Sequence, residues 1–379
     1  MLKWVQSGLS AVAGTAEPIY GPDALQSVTT GLTPETAFGE LTRQDLEWRS
    51  LPYTNVETQT FYLTTVTGHV VFVQVILSNI AGLHTTAQFT CRVYHPDNAE
   101  DRVWTSTHLE NFKVGADKTS FTADKLSIDL SEDLNTYKIK SEVNDKSLVD
   151  IVIVREAPGF KIGKNGTTNF GTDPKNPWGS MRHVFWPRAT VAGTIVSNGH
   201  LIEVSGNAMY VMALQGMKPH HAAARWNFVN FQGPTTSAVL MEFTTPPSYG
   251  SQVVNVGAVV RKDQLLAATI VNTAEHTKVK SDDANGWPEP LEVKFTWSGV
   301  QPESLTPLQA TLEGAIPNLV ERVDVMSEIP AFVKKVVAGV AGTKPYIYQY
   351  SNPASIKVKF GDEEYEEAGH LYSEATFIS

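Results

Sequence analysis

Trp178-Gly179-Ser180-Met181-Arg182-His183-Val184-Phe185-Trp186-Pro187-Arg188 sets two tryptophans, a phenylalanine, a histidine and two arginines within eleven residues. So much aromatic and cationic mass is out of place in an exposed linker. It predicts a buried seam between two β-rich halves, equally readable as a well-packed first strand of the second half. The preceding run, Gly163 to Pro177, holds the turn formers Asn165-Gly166, Asp173-Pro174 and Asn176-Pro177 and predicts a loop.

Working outward, both flanks carry strand patterns. Upstream these run over 59–65, 69–77, 87–94, 103–109, 121–130, 136–140 and 147–155. Ser127-Ile128-Asp129-Leu130 and Tyr137-Lys138-Ile139-Lys140 alternate as half-buried strands do, whereas Val70 to Leu77 is apolar on both faces. Downstream, strands over 189–197 and 200–205 flank Asn198-Gly199, the strongest hairpin turn of the chain. Further strands follow over 208–214, 225–231, 238–245, 253–261, 265–272 and 291–297, with closing strands over 347–350 and 355–360. Leu41 to Trp48 reads as a helical turn or two, Phe332 to Val340 as a helix, and Glu363 to Glu367 as a solvated acidic surface. With no long helix between strands, parallel architecture is excluded in favour of an all-β fold. Two antiparallel barrels in tandem are expected, 19–172 and 173–379, with a separate segment at 1–18.

That segment has helical periodicity. Met1, Leu2, Val5, Leu9 and Val12 share one face with Trp4 at its edge, while Lys3, Gln6, Ser7 and Ser10 lie opposite. A rod of roughly 20 Å is too short to span a bilayer but suits its interface, and one lysine implies binding through lipid packing rather than charge. The competing reading docks this helix on the protein's own barrel.

Composition narrows the function classes. The net charge of −10 argues against nucleic acid, whose phosphates demand basic stripes. The single cysteine, Cys91, lies in a strand pattern and reads as a core thiol in a reducing compartment. No secretory signal is expected, so the sequon Asn165-Gly166-Thr167 reads as a turn. Nucleophile, zinc and phosphate-loop motifs are absent, no cofactor is implied, and Asp282-Asp283 and His220-His221 read as turn and loop residues. A barrel of about eight strands has room for one small ligand. Arg182 and Arg188 are expected to hold a polar headgroup while Trp178, Phe185 and Trp186 cover a tail, with the hydrogen-bonded seam histidine His183, Trp226 and Phe228 as further contacts. Met209, Met212 and Met217 are adaptable apolar lining or plain core.

Residues 176–188, together with Met1-Leu2-Lys3-Trp4-Val5-Gln6 through Ala16-Glu17-Pro18, resemble the signature of the fungal survival factor family. The resemblance implies tandem lipocalin-like carriers that move ceramide non-vesicularly from endoplasmic reticulum to Golgi and support survival under oxidative stress. It further implies a cytoplasmic protein at the surface of those membranes and in the nucleus, with an acetylated N-terminus. The Gly-x-Trp of ordinary lipocalins is missing from the first strands. Two alternatives stand beside the carrier. One is a hydratase-like enzyme acting on an apolar isoprenoid or lipid, marked by buried acids converging on His183. The other is a ligand-free stress-response module with filled barrels.

Overall fold

The structure, a computed structural model, describes residues 18–80, 82–96, 101–328 and 345–379. The expected interfacial helix at 1–14 and the expected helix at 332–340 lie outside the described residues. Among the described residues no helix is long and apolar enough to cross a membrane.

The all-β, antiparallel expectation is borne out as two curled sheets, each a half-barrel around its own core. The main path of the first runs Val103–His108, His84–Tyr94, Val70–Ile80, Asn55–Thr65, His200–Gln215, Gly179–Ser197, Ser147–Arg155, Thr136–Ser141, Leu126–Leu130, Phe121–Ala123, Lys113–Val114. Curling brings the ends of this path together: Val103 shares a core with Phe121 and Leu126, and Thr105 Oγ1 lies 2.6 Å from Ser147 Oγ. The second runs Gln264–Thr269, Val253–Arg261, Thr236–Thr244, Arg225–Gln232, Glu363–Phe377, Tyr346–Phe360, Pro307–Ala315, Pro288–Val300, Val271–Ser281.

Several local expectations give way to tertiary pairing. The sheets change over between Gln215 and Arg225, not at residue 173, because the hairpin Gly179–Ser197/His200–Gln215 pairs on both edges with strands of the first half. The loop expected over 163–177 contains the short strand Thr167–Phe170, which pairs with Leu25–Gln26 and with Gly179–Ser197. The acidic run at 363–367 opens the strand Glu363–Phe377, where Glu367 accepts from Thr235 and Thr236. Leu41–Trp48 forms only the 3-10 turn Arg43–Asp45. Asp282 is no simple turn residue: it is buried, bonded to the Tyr348 hydroxyl and paired with Arg322 at 2.8 Å.

Gly179–Ser197 positions everything that follows. Strand alternation sends Arg182, Val184 and Trp186 to one face, and Met181, His183 and Phe185 to the other. The ladder slips between Trp186 and Ala189, around Pro187, which has no N–H to donate. Past the bulge Ala189, Val191 and Ile195 continue the inward face. Gly193, at φ +141°, allows the tight bend there, since a Cβ would sit 2.2 Å from the Asp150 carbonyl oxygen.

Candidate functional site: a cleft between the sheets

The inward face of Gly179–Ser197 belongs to the first core. Trp186 is fully buried against Tyr137 and Tyr210, with ring centroids 5.0 and 5.3 Å away. Arg182 is buried too. Its Nη2 lies 2.7 Å from Asp45 Oδ1, its Nη1 donates to the Asp45 carbonyl at 3.1 Å, and its Nε donates to the Asn165 carbonyl at 3.0 Å. Lys161 Nζ takes the other Asp45 oxygen at 2.5 Å. Burial raises the Asp45 pKa, but the hydrogen bonds from Lys161 and Thr42 outweigh it and hold the carboxyl below its usual range. Neither Trp186 nor Arg182 therefore lies in the seam, and the guanidinium has no spare face for a headgroup.

Arg188 does reach the seam, as a clamp. It pairs with Glu156 at 2.6 Å, and its Nη atoms donate to Gly233 O, Ser237 Oγ and Pro234 O of the second sheet at 2.8–3.0 Å. Five polar neighbours, Asn207 among them, consume its donors, so it ties the sheets together rather than awaiting a ligand.

The outward face of the same strand builds the cleft. Met181, His183 and Phe185 form one wall; Met241 and Phe243, with Val254 and Val256, form the other; Val28, Ile162, Gly166 and Thr168 close the side. Gly166, at φ +67°, lets the chain pass so close that a Cβ would meet the His183 carbonyl oxygen at 2.6 Å. A water-sized sphere can be centred in only about 10 Å³ of the cleft. The cleft is too narrow to take an acyl chain unless a wall shifts. Its lining contains no aspartate or glutamate.

His183 is the one titratable group in that lining. Burial lowers its pKa to about 3, helped by the charge of Arg182, so the ring is neutral at physiological pH. It packs beside Phe185 and edge-on to Trp226, each at 6.2 Å. A base so weak is poorly matched to proton abstraction near neutrality. Trp226 continues onto Phe243 at 5.3 Å, and Phe228 stacks on Tyr62 across the sheets at 5.0 Å. Trp178 stands at the rim, 44% exposed, its Nε1 donating to the Tyr249 hydroxyl at 3.0 Å. The structure thus brings His183, Phe185 and Trp226 together, with Phe228 further along the seam, and leaves Arg182 and Trp186 on the other side of the sheet.

Sequence reading missed two parts of the seam. One is the opposite wall, Met241, Phe243, Val254 and Val256, whose apolar alternation resembles any core strand. The other is a buried polar bridge. Arg92 Nη1 and the Tyr94 hydroxyl donate to Gln349 Oε1 at 2.5 and 3.2 Å, while Gln349 Nε2 and the Tyr372 hydroxyl donate to Glu374 Oε1 at 2.7 and 2.8 Å. Burial pushes the Glu374 pKa up. Glu374 is the kind of buried acid that an enzyme reading needs, but it is absent from the lining that holds His183.

The profile of the Svf1 family matches residues 2–379. The chain belongs to the Svf1 family. Relatives that span all of the chain, and that it spans in full, include the ceramide-binding protein svf-1 of Neurospora crassa at 52% identity and svf1 of Emericella nidulans at 50%. Svf1 of Schizosaccharomyces pombe is 42% identical with the same coverage. Among solved structures, CghA with Sch210972 superposes with TM-score 0.59 at 11% identity, covering 94% of this chain and 98% of its own. Kievitone hydratase from Nectria haematococca gives 0.54 at 12%, covering 95% and 98%. A putative AttH from Nitrosomonas europaea gives 0.55 at 14%, covering 90% and 98%. At such identities the three show a likeness of fold alone.

Proposed function

We propose that this protein is a lipid carrier whose hydrophobic cargo lies in the cleft between the two sheets. The observation that carries the reading is the lining itself: apolar side chains from both sheets, no carboxylate, and one neutral imidazole able to hydrogen-bond a headgroup. Relatives named for ceramide binding favour ceramide or a similar sphingolipid as cargo. His183, Phe185, Trp226 and Phe228 are the proposed contacts, with Trp178 at the entrance. Transfer from endoplasmic reticulum to Golgi, peripheral membrane contact through residues 1–14, a cytoplasmic and nuclear location and a role in oxidative-stress survival belong to the same proposal. No catalytic step is assigned, because the neutral histidine and the buried acid stand in separate parts of the seam.

The experiment fills the cleft. Met241→Trp or Val256→Trp adds bulk to the wall opposite His183 and Phe185, and lipids recovered with the purified chain are identified by mass spectrometry. Ceramide recovered with the unsubstituted chain and lost from both variants supports the reading. Equal recovery from all three places the cargo elsewhere, and no lipid from any of them favours a ligand-free module.

A further inference from the structure

Of the walls of the cleft, the two that the sheets supply are stapled together at both ends. Trp178 Nε1 donates to the Tyr249 hydroxyl at one end of the first wall. At the other end Gln232 Nε2 donates to the Pro187 carbonyl at 3.1 Å, beside the Arg188 clamp. Each wall is also a continuous ladder: Met181 to Trp186 pairs with Gln215 to Tyr210, and Thr236 to Thr244 with Arg261 to Val253. Parting the sheets would break both staples and leave the Arg188 guanidinium without its partners.

The side wall is held less evenly. Ile162 pairs with Phe38, Thr168 pairs with Met181, and Gly166 is pressed against the His183 carbonyl. Val28, by contrast, stands in the loop between the strand Leu25–Gln26 and the 3-10 turn Pro34–Thr36. Over residues 28–36, among the described residues, one hydrogen bond reaches another part of the chain: the Val28 N–H donates to Thr168 Oγ1 at 3.0 Å. The backbone bonds Thr30 N to Ser27 O, Leu32 N to Thr29 O and Thr36 N to Thr33 O all close within the loop. Otherwise apolar contact secures it. Val28 and Leu32 pack against the cluster that holds Phe160, Phe185, Met241 and Val256, and a Cβ on Gly163 would meet Leu32 Cδ1 at 3.1 Å. Both ends of the loop are anchored, Gly171 N donating to Ala24 O at 2.9 Å and Gly163 N to Ala37 O at 2.8 Å.

We propose that residues 27–33 are the lid of the cleft, swinging out between the anchors at Ala24 and Ala37 to admit an acyl chain while the two sheets stay clamped. The inference rests on the carrier reading and names its gate. Opening the lid gives up one long-range hydrogen bond and the packing of two aliphatic side chains. A segment with so few ties belongs to the low-stability end of a fold, where local opening precedes any wider unfolding.

Two arms test this on the full chain. In the first, Val28→Cys combined with Thr168→Cys is bridged by a bis-methanethiosulfonate, which dithiothreitol releases. Uptake of a fluorescent ceramide from phosphatidylcholine vesicles is then followed. Bridging should stop uptake and reduction restore it; equal uptake in the bridged and reduced chains overturns the proposal. If the two substitutions by themselves abolish uptake, the second arm decides.

That arm needs no lipid. Val256→Cys places a thiol on the far wall, and its reaction with a water-soluble disulfide reagent reports opening of the cleft. Cys91, buried in the first core, reports wider unfolding in the same sample. Adding Leu32→Ala should speed the reaction at 256 at least about 5-fold and leave that of Cys91 unchanged. A rate at 256 within about two-fold of the parent, or one that rises together with Cys91, overturns the lid. If the unsubstituted chain takes up no ceramide while the thiol at 256 responds as expected, the carrier reading fails and the lid is retained.

Discussion

Arg182 and Asp45, 137 residues apart in sequence, meet as a buried ion pair at 2.7 Å, with Lys161 on the second carboxylate oxygen. Removing one partner of a buried pair strands the others without solvent. Arg182→Leu is expected to cost about 3–5 kcal/mol in urea unfolding. Because the Asp45 carboxyl is held below its unfolded value, its contribution is present above about pH 4 and lost as pH falls through the folded value. Cosedimentation with ceramide, normalised to folded protein, should be unchanged; a loss of binding without destabilisation would return Arg182 to the ligand site.

Trp186→Ala removes an indole with no exposed surface from the first core. The expected loss is about 3–5 kcal/mol. The damage should stay within the first half-barrel: hydrogen exchange should accelerate in Asn55–Thr65 and Thr136–Ser141 before it does in Thr236–Thr244.

His183 is neutral in the folded protein with its pKa lowered to about 3, whereas the unfolded ring titrates near 6.5. Its folded value lies below the unfolded one. Stability is therefore fully present above about pH 6.5 and falls as the pH drops toward the folded value. His183→Gln should flatten the melting temperature between pH 6.5 and 4, and ceramide binding by the native chain should hold steady between pH 6 and 8.

Glu374 carries the opposite sign. Burial lifts its carboxyl above the unfolded value, so its contribution is largest in acid and declines as pH rises through the shifted value. Glu374→Gln keeps an acceptor for Gln349 and Tyr372 and removes the buried charge. Its melting temperature relative to the native chain should rise from pH 4 to pH 7, read by calorimetry at several pH values.

Much of the fold was legible because strand alternation and turn chemistry are local. Asn198-Gly199 does make the hairpin turn, with both residues at positive φ, +48° and +85°. The site was legible only in part. Residues 178–188 were read as one seam, yet alternation splits them between two environments, and nothing local says which parity faces which. Arg182 looked like a headgroup ligand because Asp45 and Lys161 come to it from distant segments. Met241 and Val256 gave no sign of lining a cleft, since a core and a ligand site ask the same residues of a strand. Glu374 sits in an alternating strand like any solvent-facing acid; only the packing of the two sheets buries it.

The double-faced strand Gly179–Ser197 constrains how this family can change. One residue inserted or deleted ahead of the Pro187 bulge would exchange its faces, sending His183 and Phe185 into the first core and Arg182 and Trp186 into the cleft. Selection for a new cargo therefore cannot act by shifting this strand. It must proceed by single-residue replacements at 181, 183 and 185, or through the opposite wall, where Met241, Phe243, Val254 and Val256 are free to diverge without disturbing the ion pair behind the first wall.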